Sequence, residues 1–226
     1  MTITDSSLGT YLVESRVTDS NDCESEICDT EYEITENPTC SLSDPGDFCQ
    51  DVFVDATITS TPSGGTAPFS YEWWVDRVLQ SETGSSLTLT DDTVGSYFVE
   101  SRVTDANDCE SDICDVTFEI FENPTCSLSD PGDFCQDDFV QAVITSTPTG
   151  GTGPYSYEWW VNSVLQAETG ATLTLTDDTV GSYYVESSVT DTNGCVSEIC
   201  DVTFEIFENP TCSLSDPGDF CQDTFV

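Results

Sequence analysis

The sequence predicts an all-β chain: antiparallel β-sandwiches in tandem, one every 86 residues. Three observations predict it. A 16-residue string, ENPTCSLSDPGDFCQD, recurs unchanged at residues 36–51, 122–137 and 208–223. Between the copies, apolar and polar residues alternate with a period of two, the mark of half-buried strands. Four cysteines return at fixed places in every period, which suits small extracellular domains stapled by disulfides.

The period divides the chain into 1–39, the C-terminal half of a repeat; 40–125 and 126–211, two whole repeats; and 212–226, the start of another. MTITDSSLGTYLVESR at the N-terminus aligns with LTLTDDTVGSYFVESR at residues 87–102, so Met1 falls where a mid-domain strand residue belongs. The expectation is a window on a longer polypeptide, with any secretion signal or anchor outside it. The two whole repeats differ at 17 of 86 positions, so each is expected to do the same job. The invariant string reads as a joint, rich in turns and acids and poor in core material.

Within a repeat the strands follow in order. Residues 54–61 put Val54, Ala56 and Ile58 on one face, and 71–78 do so with Tyr71, Trp73 and Val75. Leu87 and Leu89 share a face in 86–90, as do Tyr97, Val99 and Val103 in 97–105, and Val116, Phe118 and Ile120 in 114–121. Pro62-Ser63-Gly64-Gly65, Asp91-Asp92 with Gly95, and Asn107-Asp108 supply the turns between them. These are strands B, C, E, F and G of a two-sheet sandwich, with a short strand A inside the invariant string. Trp73 is expected in the core, and Tyr97 in the corner position whose hydroxyl bonds back to the backbone.

GGTAPFSYEW at residues 64–73 and GSYFVESRVTDANDC at 95–109 carry a resemblance, as do GGTGPYSYEW and GSYYVESSVTDTNGC in the next repeat. They resemble the polycystic-kidney-disease (PKD) domain and its bacterial relatives, including the repeats of long gliding-motility adhesins. The resemblance covers about two thirds of each repeat. It implies an immunoglobulin-like sandwich on an extracellular, often multi-repeat, surface protein. The second tryptophan, the second cysteine pair and the SDPGDF insert depart from that pattern.

Charge narrows the function classes. With 44 Asp+Glu against 3 Lys+Arg the formal charge is −41. Such a surface repels nucleic acid and anionic membranes, both of which need Lys or Arg to displace counterions. Self-repulsion must be offset by salt or by bound cations. Aromatics at 11% supply core material that an acidic disordered tail lacks. No apolar run approaches a membrane span.

Three constellations are candidates. The cysteines are Cys23, Cys28, Cys40, Cys49, Cys109, Cys114, Cys126, Cys135, Cys195, Cys200, Cys212 and Cys221. Without histidine or a Cys-x2-Cys knuckle, they read as disulfides rather than zinc ligands. Local pairing (Cys109 with Cys114, Cys126 with Cys135) is the favoured connectivity. The alternative takes Cys126 across the fold to Cys195 or Cys200. The acids Glu122, Asp130, Asp133 and Asp137 are expected to crowd one joint and could supply oxygens to calcium. The favoured reading is a solvated acidic surface in a salty habitat, which needs no cofactor. Finally, Trp74, Phe98 and Phe121 alternate outward beside Arg102, and Trp160, Tyr184 and Phe207 repeat the pattern. Either this aromatic strip is an exposed contact surface or the insert covers it.

No nucleophile motif and no histidine support catalysis. The expected function is structural: a disulfide-stapled array forming an extracellular filament or cell-surface stalk by self-association. The alternative is an adhesin whose aromatic strip binds carbohydrate or a protein partner.

Overall fold

The computed structural model describes residues 7–216 and 218, and Cys221 lies outside them. The chain forms two compact units, Met1–Phe121 and Glu122–Val226. In the first unit the strands are β1 (Gly9–Ser15), β2 (Cys28–Ile34), β3 (Thr39–Leu42), β4 (Phe48–Cys49), β5 (Ala56–Ser63), β6 (Ser70–Val75), β7 (Val78–Leu79), β8 (Ser86–Leu89), β9 (Gly95–Thr104) and β10 (Cys114–Phe121). The second contains β11 (Thr125–Leu128), β12 (Phe134–Cys135), β13 (Ala142–Thr149), β14 (Ser156–Val161), β15 (Val164–Leu165), β16 (Thr172–Leu175), β17 (Gly181–Thr190) and β18 (Cys200–Phe207). A 3₁₀ turn follows β4 and another follows β12.

Each repeat is a two-sheet sandwich. In the first, β3-β5-β8 make one sheet and β4-β10-β9-β6-β7 the other; β11-β13-β16 and β12-β18-β17-β14-β15 repeat the plan in the second. This is the immunoglobulin-like arrangement that the alternation predicts, because each strand offers one apolar face and two such sheets bury them together. Ala56, Ile58, Trp73, Leu87, Tyr97, Val99, Phe118 and Ile120 form the core of the first repeat, and their equivalents form that of the second. Trp73 and Trp159 are completely buried. Each indole donates its Nε1–H, to the carbonyls of Gly84 and Gly170 respectively, at 2.9 Å, so burying a large ring leaves no polar atom unpaired.

Local chemistry fixes the corners. The Tyr97 hydroxyl donates to the Thr93 carbonyl at 2.8 Å, and Tyr183 donates to Thr179 at 2.9 Å. Between β6 and β7, Asp76 and Arg77 both have positive φ, as do Asn162 and Ser163 in the second repeat. Two consecutive left-handed residues give the tight hairpin whose twist matches its strands. This added strand, two residue pairs long, is invisible to the period-two reading.

The invariant string holds the expected first strand of the sandwich, but that strand changes sheets partway. β3 pairs antiparallel with β5, the SDPGD turn carries the chain over, and β4 then pairs parallel with β10. Leu42, Phe48 and Phe53 pack against the core, with Phe48 edge-on to Phe53 and to Phe118. The segment therefore does contribute core residues. Val54, expected to face inward, is 80% exposed: the 3₁₀ turn sends Phe53 inward instead, and β5 begins only at Ala56.

Residues 9–34 fold as a lone hairpin. The β1–β2 register, Gly9 opposite Ile34, repeats that of β9–β10, Gly95 opposite Ile120. Tyr11 stacks on Tyr32 as Tyr97 stacks on Phe118.

Candidate functional site

The cysteines correct the favoured connectivity. The disulfides are Cys40–Cys114 and Cys126–Cys200, each joining residues 74 apart with Cα atoms 5.8 Å apart. They are not local pairs: Cys109 and Cys135 carry free thiols. Crossing the fold is the alternative that had placed Cys200 within reach of Cys126. The reason lies in register. Cys40 shares the inward side of β3 with Leu42, where it meets Cys114 at the start of β10 in the opposite sheet. Cys109 is held elsewhere, because its backbone N–H and that of Asn107 donate to Asp105 Oδ1 at 3.0 and 2.8 Å. Cys49 and Cys195 are also disulfide-bonded. Cys23, Cys28 and Cys212 are free and exposed.

Asp105 organises the loop around Cys109. It is 5% exposed, and its Oδ2 accepts the Thr66 N–H at 2.9 Å, tying two loops together. Burial works to raise its pKa, but the backbone donors at Cys109, Thr66 and Asn107 outweigh it and hold the carboxyl below its ordinary value. Gly65 makes this approach: at φ +66 a Cβ would stand 3.0 Å from Pro38 and 3.2 Å from Asp105. Asp191 makes the equivalent bond to the Thr152 N–H at 2.9 Å.

The four acids proposed for calcium are not brought together. Glu122 precedes β11 and lies against Gly150, beyond the end of β13. Asp130 caps its own turn by accepting the Gly132 N–H, and Asp133 accepts the Glu205 N–H near the far end of β18, each at 2.8 Å. Asp137 sits in the following 3₁₀ turn. The string runs along the sandwich and so spreads its acids over the length of the repeat. Among the described residues no group of three or more His, Cys, Asp or Glu could hold a metal ion.

The aromatic strip lies on the outer face of the five-stranded sheet. Trp74, Phe98, Phe121 and Trp160 are half-buried; Tyr184 is 39% and Phe207 45% exposed. The phenylalanines of the insert, Phe48 and Phe134, turn into the core rather than onto the strip. Arg102 anchors the strip in the first repeat. Its guanidinium lies 5.9 Å from the Trp74 ring centroid, bonds Glu72 through Nε at 3.0 Å and reaches Glu110 at 2.8 Å. Bonding to Glu72 leads in raising its pKa. In the second repeat Ser188 replaces Arg102 and Val196 replaces Glu110, so Trp160 and Glu158 have no such cation. Sequence reasoning placed the aromatics and Arg102 together but missed the two carboxylates; Glu72 was legible as the residue beside Trp73 on the outward side of its strand.

No family model and no curated protein matches this chain. Similar solved structures include fibronectin(III)-like modules of Clostridium thermocellum CbhA, 15% identical, covering 76% of this chain and 94% of theirs, with a TM-score of 0.40. Another is the PKD domain of human KIAA0319, 17% identical, covering 42% of this chain and 91% of that one, at 0.34. A third is immunoglobulin domains 1–4 of Sidekick-1, 14% identical, covering 91% of this chain and 60% of that one, at 0.46. These are fibronectin-III, PKD and immunoglobulin-like domains; the strand order of each repeat here is, by its own topology, that of an immunoglobulin-like sandwich. No described helix is long and apolar enough to cross a membrane.

Proposed function

We propose that this chain is a structural segment of a long extracellular protein, a cell-surface stalk or filament built of repeats 40–125 and 126–211 and their neighbours. One observation carries the reading: two nearly identical sandwiches, each closed by its own sheet-to-sheet disulfide, carry aromatic residues at the same outward positions of the five-stranded sheet. Repetition of a closed unit serves length and regular contact better than it serves a single reaction, and non-enzymatic function follows from that. The disulfides support an oxidising, extracellular setting. Its partners are further copies, meeting through the strip once salt screens the charge; nucleic acid and membrane insertion have no role.

The second reading is an adhesin, favoured by the open Tyr184 and Phe207 of the second repeat, whose rings could stack on sugar or seat a protein partner. Analytical ultracentrifugation of the full chain at rising salt separates the two. The structural reading expects association that grows between 0.1 and 1 M salt, as the Debye length falls from about 10 to about 3 Å, and that is lost in the double variant Trp74→Ala/Trp160→Ala. A chain that stays monomeric throughout, and binds polysaccharide through Trp74, supports the adhesin instead.

A further inference from the structure

The thiol of Cys109 opens into a cleft of about 570 Å³ lined by Ile34, Thr35, Asn37, Thr66 and Asn107. Thr35 is the near wall: its Oγ1 lies 4.0 Å from Cys109 Sγ and 3.4 Å from Asn107 Nδ2. The lone hairpin shows what belongs there. Because β1–β2 keeps the register of β9–β10, Ile34 and Thr35 occupy the places of Ile120 and Phe121. In the complete repeat those two residues are the parallel Cα partners of Phe48 and Cys49, and in the next repeat Ile206 and Phe207 partner Phe134 and Cys135. An identical SDPGDFC segment laid on Ile34 and Thr35 in the same register would make its cysteine the Cα partner of Thr35. Neighbouring strands lie about 4.8 Å apart, so that cysteine would stand beside Thr35, whose Oγ1 lies 4.0 Å from the Cys109 thiol.

A second observation points the same way. Cys195, at the Cys109 position of the next repeat, is disulfide-bonded; so is Cys49, at the Cys135 position of the previous one. Both cysteine types therefore form bonds in this protein, beyond the sheet-to-sheet pairs.

We propose that the cleft beside Cys109 is a docking site for the SDPGDFC segment of another repeat of this same sequence, and that the segment's cysteine forms a disulfide with Cys109. The segment brings its own anchors. Asp47 Oδ1 accepts the Glu119 N–H at 2.8 Å, and Glu33 offers the equivalent N–H on the hairpin. The bond forms by thiol–disulfide exchange with a low-molecular-weight disulfide: the segment's cysteine first becomes a mixed disulfide, then the Cys109 thiolate attacks its sulfur and expels the small thiolate. This deepens the structural reading by naming a covalent partner for the repeat, and it holds or fails without reference to the aromatic strip.

The test uses the full chain and the peptide SDPGDFCQDVF, residues 43–53, supplied as its 2-thiopyridyl mixed disulfide. Proteolysis without reduction and mass spectrometry then give the rate of peptide transfer to each cysteine. Cys109 should take the peptide about tenfold faster than a scrambled peptide of equal charge, and replacing Phe48 of the peptide by alanine should remove most of that preference. Cys23, at the same position of the hairpin and exposed, is the internal control and should show none. Equal rates for native and scrambled peptides at Cys109, or an equal preference at Cys23, would overturn the proposal.

Discussion

The two repeats share a core and differ at its edge. Trp73 and Trp159, Tyr97 and Tyr183, and the two sheet-to-sheet disulfides superpose residue for residue in role. The outer face of the five-stranded sheet does not. The first repeat clamps Trp74 beneath Arg102 between Glu72 and Glu110; the second has Ser188 and Val196 there and leaves Tyr184 and Phe207 more open. The lesson is that the fold rests on what is buried and leaves the strip free to vary its charge. That surface keeps its aromatics while losing Arg102, so the ion pairs there are not what holds the fold together.

That division can be broken most forcefully at the core. Trp73→Ala and Trp159→Ala should each cost about 3–5 kcal/mol, the usual penalty for emptying a buried aromatic site, and the two costs should match. Calorimetry of the variants checks this; a large inequality would mean that the cores are not equivalent. Cys114→Ser and Cys200→Ser come next. Each releases a 74-residue span, and loop entropy sets the loss at about 4 kcal/mol on the chain-entropy model. Denaturant melts should again show equal effects in the two repeats.

Below these lies Tyr97→Phe, which deletes the corner hydrogen bond to Thr93 at a cost of about 1 kcal/mol. The smallest effect is where the repeats should part company. Arg102→Ser copies the second repeat into the first, and its partially exposed ion pairs should contribute under about 1 kcal/mol. It should barely change melting yet alter how strongly association depends on salt. A loss as large as that of Trp73→Ala would contradict the separation of face from core.

Acid sharpens the comparison in another way. The folded-state pKa of Asp105 is held below its unfolded value. Its stabilising contribution is therefore complete above the unfolded pKa of about 3.9 and disappears as pH falls through the lower folded value. Asp105→Asn should flatten the decline in melting temperature on acidification below about pH 4, relative to the native chain.

Most of the sandwich was legible because its signals are local. Alternation placed strand G at 114–121, just as β10 runs, and located Trp73 and Tyr97 correctly. What escaped depends on long-range register. Cys40 and Cys114 meet only because β3 and β10 face each other across the core, and no local spacing reveals a partner 74 residues away. The change of sheet within the invariant string is equally hidden. Its turn residues and acids outnumber Leu42 and Phe48, which hid the core residues and the second short strand beyond the expected strand A and made four separated acids look like a cluster. The strip was readable as a face, since outward positions follow from inward ones. The glutamates flanking Arg102 come from another strand and from a loop.

Electron cryomicroscopy of the native material addresses the central claim most directly. A structural array predicts repeats packed side by side or in a helix, with Trp74, Phe121 and their counterparts Trp160 and Phe207 buried between copies. Isolated rods at every salt concentration, with the strip open to solvent or covered by glycan, would contradict it.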